Sequence, residues 1–245
     1  MRILVNGAAG HMGRVLCGCI ESGASGAELA GAVDFNPAEG MYAALDDFTG
    51  TADCIIDFSH HAATRALTDY AVRRGLPVVI ATTGQTPEET ELIAAAAQKI
   101  PVFHTGNLSL GIAVLTKLVK TAAALFPDAD IEIVEAHHNH KIDVPSGTAL
   151  MLAEAVKKAR PQATFNIGRH ENGKRTKEEV GIHSLRMGNT VGIHEVIINT
   201  GTQVLTLRHE AQDRALFAEG ALSAAAFLIG KAPGLYGMDD LTADD

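Results

Sequence analysis

The chain has 245 residues, enough for one large domain or two modest ones with a real core. Its 29 acidic and 20 basic side chains give a formal charge of −9, which speaks against non-specific nucleic-acid binding. Three cysteines (Cys17, Cys19, Cys54) form an odd set suited to a reducing compartment, and no apolar run reaches the length of a membrane span, so a cytoplasmic protein with no nucleic-acid or membrane partner is expected.

Short apolar bursts alternate with amphipathic segments through the first hundred residues. ILVN (3–6), LAGAVD (29–34), CIIDFS (54–59), PVVIAT (77–82) and PVFHTG (101–106) predict buried parallel strands opening into polar loops. Helices are predicted at 11–22, 61–74 and 87–99, with a short one within 38–47. Repeated β-α units imply right-handed crossovers, a doubly wound sheet and ligands at the strands' C-terminal ends.

The pattern changes after about residue 107. A helix is predicted over 110–126, then a strand in DADIEIVEAHH (128–138) and a helix over 147–160. RHENGKRTKEEV (169–180) reads as an exposed loop. Strands follow at 181–187, 191–199 and 202–209, the last two joined at Thr200-Gly201, before an Ala-rich helix over 214–229. The fold class is α/β: a Rossmann-like domain (1–107 and 213–245) with a second α+β mixed-sheet domain (108–212).

NGAAGHMG places Gly7, Gly10 and Gly13 directly after the first strand and at the start of a helix. The spacing is G-x-x-G-x-x-G, but the context suits a dinucleotide: glycines admit a pyrophosphate, and the helix N-terminus offers free N–H groups. Asp34 ends the second strand, where a carboxylate can accept hydrogen bonds from an adenosine ribose. That carboxylate would repel a 2′-phosphate, and Phe35 brings no cation beside it. NADH is therefore expected to serve at least as well as NADPH, although His11, Arg14 and His60 are placed where they could compensate.

The densest polar stretch is EAHHNHKIDVPSGTAL (135–150). On a strand, His138 and His140 would share a face and His137 would point the other way. An H-x-H pair can ligate zinc, but His183, His194 and His209 form no recognised spacing for a third ligand, so no metal is expected. Ser146, Gly147 and Thr148 instead begin the next helix, where N–H groups and hydroxyls can receive a carboxylate or simply cap the helix. Lys141 and His138 add charge and donors.

With both motifs present, the chain resembles the dihydrodipicolinate (4-hydroxy-tetrahydrodipicolinate) reductase family of diaminopimelate and lysine biosynthesis. Glu135, His137, Lys141, Asp143, Pro145, Ser146, Gly147, Thr148 and Ala149 fill its E-x-H-x-x-x-K-x-D-x-P-S-G-T-A signature. GAAGHMG, ATTG (81–84), GNLSLG (106–111), RMGNTVGIHEV (186–196) and the tail GLYGMDDL fall in the family's order, so the resemblance spans the chain.

It implies hydride transfer from NAD(P)H to C4 of a cyclic dicarboxylate imine, with loss of the 4-hydroxyl as water. By position, His137 is the proton donor/acceptor and Lys141 a proton donor. His138 looks like a substrate contact, and Gly147 and Thr148 hold a carboxylate. Gly7, Ala8, Ala9, Gly10, His11, Met12 and Asp34 match the cofactor loop and its acid. Ala81, Thr82 and Thr83 match the segment at the nicotinamide ribose, and Gly106, Asn107, Leu108 and Ser109 the segment beside the nicotinamide. The resemblance further implies a homotetramer assembled through the second domain's sheet. Which of His137 and Lys141 delivers the proton stays open. A redox-sensing module that binds NAD(P) without turnover is the rival, and it would not need Lys141 and the PSGT turn together.

Overall fold

The computed structural model describes residues 1–23 and 26–243. The chain forms two compact units, Met1–Ser109 with Arg214–Asp245, and Leu110–Asp213.

The first unit opens with β1 (Arg2–Asn6), α1 (His11–Glu21), β2 (Glu28–Val33), β3 (Cys54–Asp57), α2 (Thr64–Arg74), β4 (Val78–Ile80), α3 (Pro87–Ala97) and β5 (Pro101–His104). The second unit contributes α4 (Leu110–Leu125), β6 (Asp130–His137), α5 (Gly147–Ala159), β7 (Thr164–Ile167), β8 (Glu179–Arg186), β9 (Gly192–Asn199) and β10 (Val204–Ala211). The chain then returns to the first with α6 (Ala215–Leu228), β11 (Gly234–Tyr236) and α7 (Met238–Leu241).

Six parallel strands in the order β11-β5-β4-β3-β1-β2 make the first sheet. Its central strands are buried on both faces, which is why they read as unbroken apolar runs. Ile3 and Val5 pack with Leu16 of α1 and Ala221 and Leu228 of α6. Leu4 and Ile55 face the other way, toward Leu67 of α2 and Ile93 of α3. The sheet is thus wound on both sides, as its alternating sequence predicts. Local chemistry sets the helix ends. In α3, Pro87 follows Thr86, whose hydroxyl accepts from Glu89 N–H at 3.3 Å while the Glu89 carboxylate accepts from Thr86 N–H at 2.8 Å. α2 stops at Gly75, which is left-handed at φ 63°.

The second sheet is mixed, with order β10-β9-β6-β8-β7; β6 runs parallel to β8 and antiparallel to β9. Ile131, Ile133, Ile182, Val196 and Ile198 pack with Leu115 and Val119 of α4 and Leu152 and Val156 of α5. Glu132, Val134, Ile193, Glu195 and Ile197 alternate with them and point to the opposite face. The buried Arg160 donates to the carbonyls of Ala123 (3.0 Å), Ala129 (2.8 Å) and Phe126, closing the end of α4.

The structure differs from, or adds to, the sequence expectation at four places. TFNI at 164–167 is a strand, and β8 begins at Glu179, inside the interval read as a loop. GLY at 234–236 is another edge strand, and the short helix sought in 38–47 is a single 3-10 turn at Leu45–Asp47. Among the described residues, no helix is long and apolar enough to cross a membrane.

Candidate active site

In the first unit the glycine turn follows β1 directly. Gly7 sits at φ 80°, and a Cβ there would lie 2.5 Å from the Phe58 carbonyl oxygen. A Cβ on Gly13 would collide with the Gly7 carbonyl, so both positions need glycine for close packing. The end of β2 holds the turn: Gly7 and Ala8 donate to the Val33 carbonyl at 2.9 and 3.0 Å, and Ala9 donates to Asp34 Oδ2 at 2.9 Å. Asp34 Oδ1 accepts from Asn36 N–H at 2.9 Å. Gly10 caps α1 without a side-chain hydrogen bond, and the first turn, starting at the exposed His11 and half-buried Met12, carries no acid. Amide donors at that terminus remain available to an anion.

Beside this turn lies a cleft of about 580 Å³, lined by Gly7, Gly10, Asp34, Phe35, His60 and Arg73 among others. Phe35 is 91% exposed, a flat apolar surface next to the acid. Arg73 is ion-paired with Asp46, another cleft residue. A glycine turn that excludes Cβ atoms, an unfilled helix start and an acid at the next strand's end together fit a dinucleotide.

Behind the turn, the buried Asp57 ties three strand ends together. Its Oδ1 accepts from Asn6 Nδ2 at 2.7 Å and Ser59 Oγ at 2.6 Å, and its Oδ2 accepts from Thr82 Oγ1 at 2.6 Å. Burial pushes its pKa up, against the pull of the Ser59, Thr82 and Asn6 donors. Of the segment 81–83, Ala81 N–H bonds to the Asp57 carbonyl at 3.0 Å, Thr82 turns inward and Thr83 is exposed. In 106–109, Asn107 Oδ1 accepts from Ser109 N–H at 2.8 Å and Gly106 is exposed. Leu108 is buried, its carbonyl lying where a Cβ on Gly220 of α6 would collide with it.

In the second unit β6 stops at His137, so His138, Asn139 and His140 lie beyond the strand. The strand alternation expected for the three histidines therefore does not apply. His138 and His140 instead stack, ring centroids 3.8 Å apart, while His137 shares its face with Glu135. Glu135 is fully buried. It accepts from His137 Nδ1 at 2.5 Å, from Arg186 Nη1 and Nη2 at 2.9 and 2.8 Å, and from Ser146 N–H at 3.2 Å. Burial alone would raise its pKa, but the donors from His137, Arg186, Ser184 and Ser146 together hold it well below the usual carboxylate range.

The loop carrying Lys141 is tied to the same group. Arg186 Nη2 also donates to the Asp143 carbonyl at 2.8 Å, and Lys141 Nζ pairs with Asp143 Oδ1 at 2.8 Å. That lysine hydrogen bond holds the Asp143 carboxyl below its ordinary pKa. Ser146 caps α5, its Oγ accepting from Ala149 N–H at 3.2 Å and lying 3.2 Å from His194 Nε2. The Ser146 polar atoms are thus engaged inside the unit, whereas Gly147 is exposed and Thr148 half-buried at the helix start. His194 is 4% exposed and lies edge-on to His137 at 5.1 Å. Burial, with the charge of His137 next, pushes its pKa down to about 4. Its ring is therefore neutral near pH 7 and shares a single hydrogen bond with the Ser146 hydroxyl through Nε2.

The structure gathers His137 and Ser146 around Glu135, Arg186 and His194, and ties the Lys141 loop to Arg186; sequence reasoning left those three without roles. Glu135 was open to discovery, because residues two apart on a strand share a face. Arg186 and His194 lie 51 and 48 positions from their partners and carry no local signal. Among the described residues, no three His, Cys, Asp or Glu side chains are grouped as for a metal ion.

One unit with a parallel sheet and a glycine turn, and another with a mixed sheet and a buried acid–histidine pair next to a helix start, define a dinucleotide-dependent oxidoreductase. The family description "Dihydrodipicolinate reductase, N-terminus" matches residues 1–108, and "Dihydrodipicolinate reductase, C-terminus" matches 111–242. The chain belongs to the dihydrodipicolinate reductase family. It is 44% identical over 246 residues to the 4-hydroxy-tetrahydrodipicolinate reductase of Caldanaerobacter subterraneus subsp. tengcongensis, covering 98% of each chain. The reductase of Clostridium novyi is 38% identical, with 98% of this chain and 97% of that one covered. Dipicolinate-bound dihydrodipicolinate reductase from Paenisporosarcina sp. TG-14 shares the fold at a TM-score of 0.83 and 24% identity, covering 99% of both chains.

Proposed function

We propose that this chain reduces 4-hydroxy-tetrahydrodipicolinate to tetrahydrodipicolinate in diaminopimelate and lysine biosynthesis. The carrying observation is the Glu135–His137 pair beside Lys141 and the start of α5, in a chain whose full-length relatives bear that enzyme's name. A bound reduced nicotinamide supplies the hydride for C4. Gly147 and Thr148 receive a substrate carboxylate at the helix start, with Ser146 bracing that turn from behind. Lys141 and His138 add donors around the anion, and the proton for the ring comes from the His137–Lys141 pair as the 4-hydroxyl leaves as water.

The cofactor rests on the glycine turn (Gly7 to Met12) and Asp34, with 81–83 and 106–109 as the further cofactor segments. NADH serves at least as well as NADPH: the Asp34 carboxylate repels a 2′-phosphate, and Arg73 is already engaged by Asp46. The substrate unit assembles as a homotetramer through its sheet, a reading supported by the alternation of Ile193, Ile197 and Val134 with charged neighbours.

Oxidation of NADH and NADPH by freshly generated 4-hydroxy-tetrahydrodipicolinate tests the reading. No oxidation with either nucleotide overturns it, and a preference for NADPH of about a hundredfold overturns the cofactor assignment. Near-normal turnover in both His137→Ala and Lys141→Ala would remove the proton-transfer roles.

A further inference from the structure

We infer that His137 works through Nε2, that Glu135 clamped by Arg186 is the positioning residue that turns it so, and that Gly192 lacks a side chain to keep that nitrogen open. This deepens the proposed reaction and rests on His137 taking part in it.

The other ring nitrogen, Nδ1, fixes the direction of the ring. An ionised carboxylate can only accept, so Nδ1, 2.5 Å from Glu135 Oε2, carries the hydrogen. Glu135 cannot move away. Two guanidinium nitrogens and the Ser146 amide hold its oxygens, and no part of it reaches solvent. A fixed acceptor at Nδ1 leaves the lone pair of a neutral ring at Nε2, the atom that exchanges a proton with a substrate.

Gly192, the first residue of β9, supplies the second observation. A Cβ there would stand 3.2 Å from His137 Nε2 and 3.8 Å from His194 Cε1. The Gly192 φ lies outside the left-handed region, so no backbone demand explains the glycine. What a side chain would take is the space at Nε2. His137 could yield only by loosening its bond to Glu135, and Arg186 holds that acid against the Asp143 carbonyl as well. The same guanidinium therefore sets the histidine's direction and anchors the loop that carries Lys141.

The tests use the full chain. Histidine-selective 15N NMR near pH 8 should show His137 as the Nδ1–H tautomer, with an unprotonated Nε2. Gly192→Ala should lower kcat by about 10- to 100-fold, since small misplacements at a reacting atom cost that much, while the substrate KM and NADH affinity change little. Glu135→Gln should lower kcat at least as far and weaken the Nδ1–H signature. An Nε2–H tautomer in the wild type, or wild-type kcat in Gly192→Ala, overturns the inference, and both readouts stand if Glu135→Gln fails to fold. His137→Asn separates the two readings: if its turnover survives, the proton-transfer role itself is wrong. If that variant is inactive while the tautomer is reversed or Gly192→Ala is silent, only the positioning inference falls.

Discussion

Arg186 grips the buried Glu135 with both terminal nitrogens, at 2.9 and 2.8 Å, and reaches the Asp143 carbonyl from one of them. Truncating one partner of a buried ion pair leaves an uncompensated charge, which costs about 3–5 kcal/mol. Arg186→Ala should therefore lower stability by roughly that amount, read as a reduced urea midpoint at unchanged m-value. Arg186→Lys keeps the charge but loses the two-pronged grip, so its loss should be smaller.

Stability should also fall in mildly acidic solution because of His194. Its folded pKa, about 4, lies below the ordinary 6.5, so the unfolded chain binds more protons between those values. The stabilisation of a neutral His194 is complete above pH 6.5 and is lost as pH falls toward 4. Between pH 7 and 5 this amounts to about 2 kcal/mol, in a range where carboxylates remain mostly ionised. His194→Gln should flatten that part of the profile, and urea titrations of both proteins at the two pH values measure the difference. An identical slope in the variant would show that another group is responsible.

Asp57 predicts a different outcome for a near-isosteric change. All three of its side-chain partners are donors, so Asp57→Asn must set an amide NH2 against a hydroxyl or the Asn6 amide. An unmet buried donor costs about 1–3 kcal/mol. The variant should melt earlier and bind NADH more weakly, because Thr82 and the end of β1 lose their common anchor. Calorimetry with and without NADH separates the two effects.

Arg73 offers a route to altered cofactor choice. It lines the cleft beside Asp34 and is held by Asp46. Asp46→Ala frees the guanidinium for a 2′-phosphate, so kcat/KM with NADPH should rise relative to NADH by about 1.5- to 5-fold, the range of an exposed ion pair. No change in that ratio would mean that Arg73 does not reach the phosphate.

The parallel strands were legible because burial on both faces makes VVI and CIID uniformly apolar. β7 escaped because TFNI is an edge strand with exposed ends and half-buried centre, and three-residue β11 is too short for any period to show. The histidine cluster was legible in composition but not in geometry. Where β6 stops decides which face His138 takes, and strand ends are set by pairing with β8 and β9, partners distant in sequence. Helix starts, glycines and the acid after β2 were accessible since their chemistry is local. Arg186 and His194 act across the sheet, and only the register of β6 with β8 and β9 brings them to Glu135 and Ser146.

The close seat of α6 on Leu108, opened by Gly220, bears on the order in which the molecule is made. Ala218, Ala221 and Leu228 complete the same core that holds Ala8 and Leu16, yet they leave the ribosome more than a hundred residues after Leu108. During synthesis the nascent first sheet must wait with the face it shares with α1 only partly covered and the β5 edge unpaired while the whole second unit emerges. The glycine turn is thus translated well before the helix that finishes its floor.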